Sequence, residues 1–321
     1  MGWWRISTDT LAGSRFVVSA LAETSACLGA LAKERTVHPG DRAWLDARLP
    51  AYRARLAGDP ITALLLWATL RPRYIADFAT PTPTGEPDLD FHQELARIRE
   101  TPADRVHANL ETALGGPVPR ELHRSDLAER FADLLEWIWT EMIRPDWARR
   151  RRIIEADVVA RTDQLTHGGW AAALDAMRPG MRWLGEGRLQ VNPYDYPPRD
   201  LSSVRLLFVP VTAGFGWVSW EAGRYAVVYP CSGVLAAPDP APVPDALGAL
   251  LGHARAKVLM LLDAPKSTTQ LVALTGQGLG SVGRHLKVLL DAGLVRRRRA
   301  GRSVLYYRTA AGDVLVTAQA R

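Results

Sequence analysis

The sequence predicts an α+β chain in two parts. One is a mainly helical N-terminal domain with a small antiparallel sheet; the other is a compact, basic C-terminal domain. Three observations carry this. Apolar residues recur at helical spacing from Phe16 to Gly169. From Met181 the texture changes to short β-branched and aromatic runs separated by Gly and Pro. After four prolines between Pro238 and Pro244, two short helix patterns run into an alternating, strongly basic segment. The expected division is residues 1–235, a Pro-rich linker at 236–245, and a second domain at 246–321.

In the first part, "GWWRIS" reads as an edge strand and "RFVVSALAETSACLGALA" as a helix. "DRAWLDARLPAYRARLA" and "ITALLLWATL" read as two more helical stretches, and "TPTPTGEPDLDF" as a loop. "TPADRVHANLETALGG" predicts a helix with Thr101 at the N-cap, Pro102 at the first helical position, Asp104 near the positive dipole end and Gly115 closing it. "SDLAERFADLLEWIWTEMIRP" is the clearest amphipathic helix. Leu127, Phe131, Leu134, Leu135, Ile138 and Met142 share a face, and Pro145 is expected to stop it. "DWARRRRIIEADVVARTDQLTHGG" is another helix. Its arginines Arg149 to Arg152 are expected on a solvated face, the other reading being a second nucleic-acid contact. "RWLGEGRLQV", "VRLLFVPVTA", "GWVSWE" and "RYAVVYPCSG" read as strands, with Gly185 to Gly187 a hairpin turn.

At 321 residues and 47% hydrophobic, the chain can build two cores. No uncharged apolar run is long enough for a membrane span, and "MGWWRISTDTLAGSRF" lacks the pattern of a secretory signal. Cys27 and Cys231 are too few for a disulfide framework and fit a reducing cytosol, so a cytoplasmic location is expected. Only 4 of the 40 basic residues are lysine, and Ala and Gly abound, which points to a GC-rich bacterial genome. The net charge of +6 is unevenly placed. Residues 246–321 hold 12 basic and 3 acidic residues, a net +9, while the remainder holds 28 and 31, a net −3. Charge alone fits a solvated surface; its concentration in one small domain points to a polyanion.

The pattern under that charge is specific. "ALGALLGHARAKVLMLLDA" places Leu251, Val258, Leu259 and Leu262 at helical spacing. In "KSTTQLVALTG", Ser267 and Gln270 have capping-box spacing, Leu271 and Leu274 face inward, and Gly276 ends the helix. "QGLG" makes a turn, and a helix follows from about Ser281 to Ala292, closed by Gly293. At about 100° per residue, Val282, Leu286 and Leu289 cluster on one side with Leu290 at the margin. Ser281, Arg284 and Lys287 lie on or near the other side, and His285 at the boundary. An apolar back and a front of donors are what a helix needs to dock and enter a major groove; arginine can fork onto guanine O6 and N7. "LVRRRRAGRSVLYYR" then reads as a hairpin with Ala300-Gly301 near its tip. Arg297, Arg299 and Arg302 there would reach phosphates or the minor groove, and Val304, Leu305 and Tyr307 are the candidates to pack it, the register deciding which of them point inward. Ser267, Thr268, Gln277 and Gly280 complete the expected DNA-binding set.

This ordered series (capping box, short turn, "RHLKVLLDAGLV", basic hairpin, "VLYYR") resembles the winged helix-turn-helix domain of the ArsR family of bacterial regulators. The resemblance implies a transcriptional regulator that binds double-stranded operator DNA. The accompanying expectation is a homodimer responsive to a small-molecule effector, a repressor being the first reading and an activator the other. Gly280 and Gly283 depart from the family pattern, where small polar residues such as serine are common. Each glycine costs roughly 0.5–1 kcal/mol of helix stability and removes a possible base contact. "RFVVSALAET", "DFHQELARIRETPADRV", "ADVVAR" with "LTHGG", and "LLFVPVTA" with "VVYP" look like an uncharacterised region fused to ArsR-type domains. That implies an effector or dimerisation role for residues 1–235 and says nothing of the inducer.

Small ArsR-type repressors often sense metals through a cysteine pair on the helix before the recognition helix, or through Asp-x-His on the last helix. "STTQLVALTG" has no cysteine and "AAGDVLVTAQAR" no histidine, so no metal is expected at those sites, and no cofactor. No P-loop, dinucleotide fingerprint, Gly-x-Ser-x-Gly or His-Glu-x-x-His occurs, so no enzyme is expected. The alternative is an N-terminal enzyme or protein-interaction domain tethered by the winged helix. All 11 tryptophans precede the linker and fit either core and dimer packing or an aromatic pocket for a flat ligand. Cys27 reads as core. Cys231 reads as a small core or rim residue, with a redox-sensing thiol the other possibility.

Overall fold

The computed structural model describes residues 2–35, 42–86, 89–175, 177–231, 243–262, 266–300 and 303–317. Most of the expected linker, 236–242, lies outside them. Contacts divide the chain into two compact units: Met1–Arg150 with Leu174–Cys231, and Arg151–Ala173 with Ser232–Arg321. Among the described residues no helix is long and apolar enough to cross a membrane.

The first unit begins with β1 (Gly2–Arg5), α1 (Thr8–Ala12) and β2 (Arg15–Phe16). Six helices follow: α2 (Ala20–Lys33), α3 (Arg42–Ala57), α4 (Pro60–Thr69), α5 (Phe91–Arg99), α6 (Ala103–Leu114) and α7 (Leu127–Ile138). Their apolar faces share one core, with Leu31, Leu45, Leu65, Leu95, Leu110 and Leu135 fully buried in it. Local chemistry sets the helix starts. Ser19 accepts from the Ala22 amide at α2, so "RFVVS" before it is extended rather than helical. Asp90 and Gln93 form a reciprocal capping box at α5. Thr101 does not cap α6. Pro102 takes the N-cap position, and the Thr101 hydroxyl donates to the Arg97 carbonyl of the preceding helix instead.

The six expected apolar residues of α7 are all buried, from Leu127 to Met142. Pro145 does not end the helical path. A π turn (Trp139–Ile143) and a 3₁₀ turn (Arg144–Asp146) carry the chain past a residue that has no N–H to donate. The chain then enters α8 (Trp147–Leu174), which is kinked at Gly169 with φ 66°. The four arginines there are not all solvated. Arg150 is only 5% exposed. Its Nη1 donates to Glu23 Oε1 and to Thr212 Oγ1, each at 2.7 Å, and lies 3.4 Å from Cys27 Sγ. The guanidinium sits 4.8 Å from the Trp44 ring centroid. Glu23 also accepts from the Thr212 amide at 2.7 Å. Burial pulls the Arg150 pKa down, but Cys27, Glu23 and Asp146 outweigh it and the net shift is upward. Cys27 is core, as expected, but core inside a polar cluster.

Among the described residues the strands of this unit form two four-stranded sheets, not one small antiparallel sheet. The first runs β3 (Arg182–Gly185), β4 (Arg188–Asn192), β1, β5 (Arg199–Asp200). β1 is antiparallel to β4 and parallel to β5, so "GWWR" is an interior strand rather than an edge, with Trp4 buried. The second runs β2, β6 (Arg205–Val211), β8 (Arg224–Pro230), β7 (Val218–Glu221). β6 is parallel to both β2 and β8, and β7 pairs antiparallel on the far side of β8. The cause is legible afterwards: "LLFVPV" and "AVVY" do not alternate, as befits central strands covered on both faces.

In the second unit, α9 (Asp245–Leu251) and α10 (His253–Leu261) replace the single helix expected there. Gly252 breaks it with φ 81°. Then come β9 (Lys266–Ser267), α11 (Thr268–Thr275), α12 (Leu279–Asp291), β10 (Val295–Ala300), β11 (Ser303–Arg308) and α13 (Ala310–Thr317). The helices enclose a core of Val258, Leu259, Leu262, Leu271, Val282, Leu286, Leu289 and Val295. The sheet order is β10-β11-β9.

Candidate nucleic-acid interface

Two glycines in left-handed geometry frame α12: Gly276, φ 70°, after α11 and Gly293, φ 69°, beyond the helix's end. The helix starts at Leu279, two residues before the expected Ser281. Its back, Val282, Leu286 and Leu289, is at most 1% exposed, and Leu290 packs at the margin. Docking that back on α10 and α11 leaves the front free.

On the front, Arg284 is exposed and its Nη2 donates to Ser281 Oγ at 3.3 Å. Lys287 is exposed and pairs with Asp291 at 2.9 Å. Both contacts are weak enough in water to be exchanged for phosphate or base. His285 is half-buried. Burial, with Arg255 and Arg284 nearby, holds its imidazole below the ordinary value. Gly280 is exposed, and a Cβ built on Gly280 or Gly283 meets nothing within 4 Å. Packing therefore does not dictate either glycine.

The remaining expected residues are less uniform. Thr268 opens α11 and Ser267 ends β9, both partly buried. Ser267 stands opposite Leu305 in the sheet; the Gln270 side chain of the expected capping box lies outside the described residues. Gln277 keeps its side-chain carbonyl buried without a hydrogen-bond partner, so that oxygen does not join the exposed set. Arg302 lies outside the described residues. For Arg299 the strand position opposite Val304 is described and the side chain is not.

The hairpin register pairs Arg296 with Tyr307, Arg297 with Tyr306, and Arg298 with Leu305. Side chains alternate across a strand, so Arg297 shares the face of Val295, and Arg296 and Arg298 the other. All three arginines are exposed, and among the described residues none pairs with a carboxylate. Arg296 and Arg298 were missed by the sequence reading. Four consecutive arginines in a strand must occupy both faces, and that rule was the available signal. Tyr306, not Tyr307, packs on the core, while Val304 is 36% exposed. β9 hydrogen-bonds to β11, which ties the hairpin to the start of α11.

A helix docked by its apolar back, with donors in front and a basic hairpin beside it, defines a helix-turn-helix domain built for a polyanionic duplex. Residues 254–297 match the family model described as "Bacterial regulatory protein, arsR family". This C-terminal segment is thus an ArsR-type helix-turn-helix, the domain of a DNA-binding transcription regulator. The match includes nothing before residue 254. No curated protein and no solved structure matches the chain significantly.

Proposed function

We propose that the chain is a cytoplasmic, homodimeric, sequence-specific repressor, in which the N-terminal unit senses a small molecule and is not an enzyme. One observation carries the reading: Ser281, Arg284 and Lys287 share the outer face of α12, held only by local contacts to one another and to Asp291, beside a winged hairpin whose exposed arginines lack carboxylate partners among the described residues. In this reading α12 meets base edges and the wing holds phosphates. Leu250 on α9 and Val314 on α13, 64% and 65% exposed, are apolar residues of this domain that a dimer contact would be expected to cover. Two-fold symmetry then requires half-sites about 10 bp apart, or a multiple of that. An effector acts only by binding the DNA-competent and incompetent states unequally. With no cysteine on α11 and no histidine in the tail, the ligand is read elsewhere than at the family's usual metal positions.

The test is fluorescence anisotropy with DNA from the gene's own upstream region against scrambled DNA, over a range of salt. Tight, steeply salt-dependent binding that prefers the upstream DNA supports the proposal. Absence of binding at low salt rejects it and favours an interaction module.

A further inference from the structure

Arg178, just after α8, is a cation with almost no company. Its Nη1 is buried with no hydrogen-bond partner, and Nη2 makes one long contact, 3.4 Å, to the Gly216 carbonyl. Other buried and half-buried arginines of this unit are served differently. Arg150 has Glu23, and Arg97 and Arg224 share Glu221. Among the described residues Arg178 pairs with no carboxylate. Burial pulls its pKa down to about 10, with the Tyr194 phenol pulling the other way, so it remains charged at neutral pH. A guanidinium offers five donors in a planar fork that matches carboxylate and phosphate. Leaving Nη1 buried without a partner is costly unless something else fills it.

The turn that Arg178 contacts carries two aromatic rings. Gly216 lies in the turn between β6 and β7, flanked by Phe215 and Trp217, whose ring centroids are 6.1 Å apart. Phe215 is seated directly on Gly29 of α2, where a Cβ would come within 2.3 Å of the ring. Lys33, one helical turn further on, holds its amine 4.1 Å from the Phe215 centroid and also has no carboxylate partner among the described residues. Two cations and two aromatic rings therefore belong to or touch one turn, and among the described residues no acidic side chain pairs with either cation.

We propose that this turn is a small-molecule site, in which Arg178 anchors the oxyanion of a carboxylate or phosphate ligand whose flat or apolar body lies against Phe215. The inference rests on the effector reading above and gives that effector a chemical class. Arg178 supplies the fork, Lys33 a second positive charge, and Gly29 the room for the ring.

The test is calorimetry on the full chain with benzoate and phenyl phosphate, and benzamide as the neutral analogue. One or both anions bind and benzamide does not; which anion binds identifies the headgroup. Arg178→Gln weakens anion binding roughly tenfold or more, the loss of a charge-assisted pair, and Arg178→Lys restores part of it. Without ligand, Arg178→Gln leaves the thermal midpoint unchanged or raised, because it removes an uncompensated charge. Lys33→Gln, at an exposed position, weakens the same anions without depending on how Arg178→Gln folds. No anion binding at millimolar concentration, or equal binding by all variants, overturns the site. Upstream-DNA affinity measured in the same samples separates the two readings. Anion binding that leaves it unchanged upholds the site and removes its effector role. A neutral ligand that shifts it while no anion binds overturns the site and leaves the effector reading standing.

Discussion

Arg150→Met should be among the most damaging substitutions in the N-terminal unit, although it sits in a run of four arginines that looks solvent-facing. The change strands the Glu23 carboxylate, which is fully buried and loses its 2.7 Å ion pair. It also removes the bond to Thr212 and the cation over Trp44. Breaking one side of a buried ion pair costs about 3–5 kcal/mol, because the other charge is left without compensation. In a unit of this size that lowers the thermal midpoint by on the order of 10 °C. The neighbour provides the control. Arg151 pairs with Glu155, and both side chains are about half exposed, so Arg151→Ala should cost about 0.3–0.5 kcal/mol. Ten of the 11 tryptophans lie in this unit, so tryptophan fluorescence during urea or thermal unfolding reads its stability. Adding Glu23→Gln to Arg150→Met should recover a large part of the loss, since it removes the orphaned charge. Equal midpoint shifts for Arg150→Met and Arg151→Ala would refute a buried, stabilising pairing at Arg150.

Other consequences follow at the DNA-facing surface. Arg284→Ala should weaken binding to the upstream DNA by about 1–3 kcal/mol and leave scrambled DNA nearly unaffected, whereas Arg298→Ala should weaken both and reduce the salt slope by about 0.9. Equal losses for Arg284→Ala on both DNAs would deny it a base contact. His285, held below its ordinary pKa in the free protein, is neutral at pH 7. If α12 lies on the duplex, nearby phosphates should raise it again, so that binding takes up a proton and tightens as pH falls from about 7 toward 5.5, by no more than tenfold per unit. His285→Gln should flatten that profile; a flat wild-type profile puts the imidazole away from DNA. Gly283→Ala places a methyl in open space within α12 and should stabilise the helix by about 0.5–1 kcal/mol, read as slower amide exchange. If it also weakens DNA binding, the duplex backbone approaches the helix closely there; faster exchange would contradict the open space seen around that position.

How much was legible depended on whether a feature was local. The α7 stripe and the back of α12 follow from 3.6-residue spacing, and both are buried where spacing puts them. Left-handed glycines at 115, 276 and 293 also announce themselves, because few other residues tolerate that backbone. Sheet order was not legible. Nothing in "GWWR" reveals that β4 and β5 flank it, since those partners lie nearly two hundred residues away. Arg150 was misread for the same reason: its partners, Glu23 and Thr212, come from α2 and the residue after β6. At the DNA-facing surface, the charge and the helix face were readable, but the two-sided placement of the hairpin arginines needed the register. The orphaned Arg178 was invisible, because being unpaired is a property of a neighbourhood and not of a sequence.

The pairing of β1 with β4 and of β2 with β6 sets an order of events during synthesis. The first strands emerge from the ribosome early, but their partners at Arg188–Asn192 and Arg205–Val211 are made much later. Until then two aromatic-rich edges wait open, a slow and aggregation-exposed interval. Any fragment that stops before residue 182 inherits that condition permanently, so dissecting the N-terminal unit requires cutting after residue 231 rather than at the apparent end of its helices.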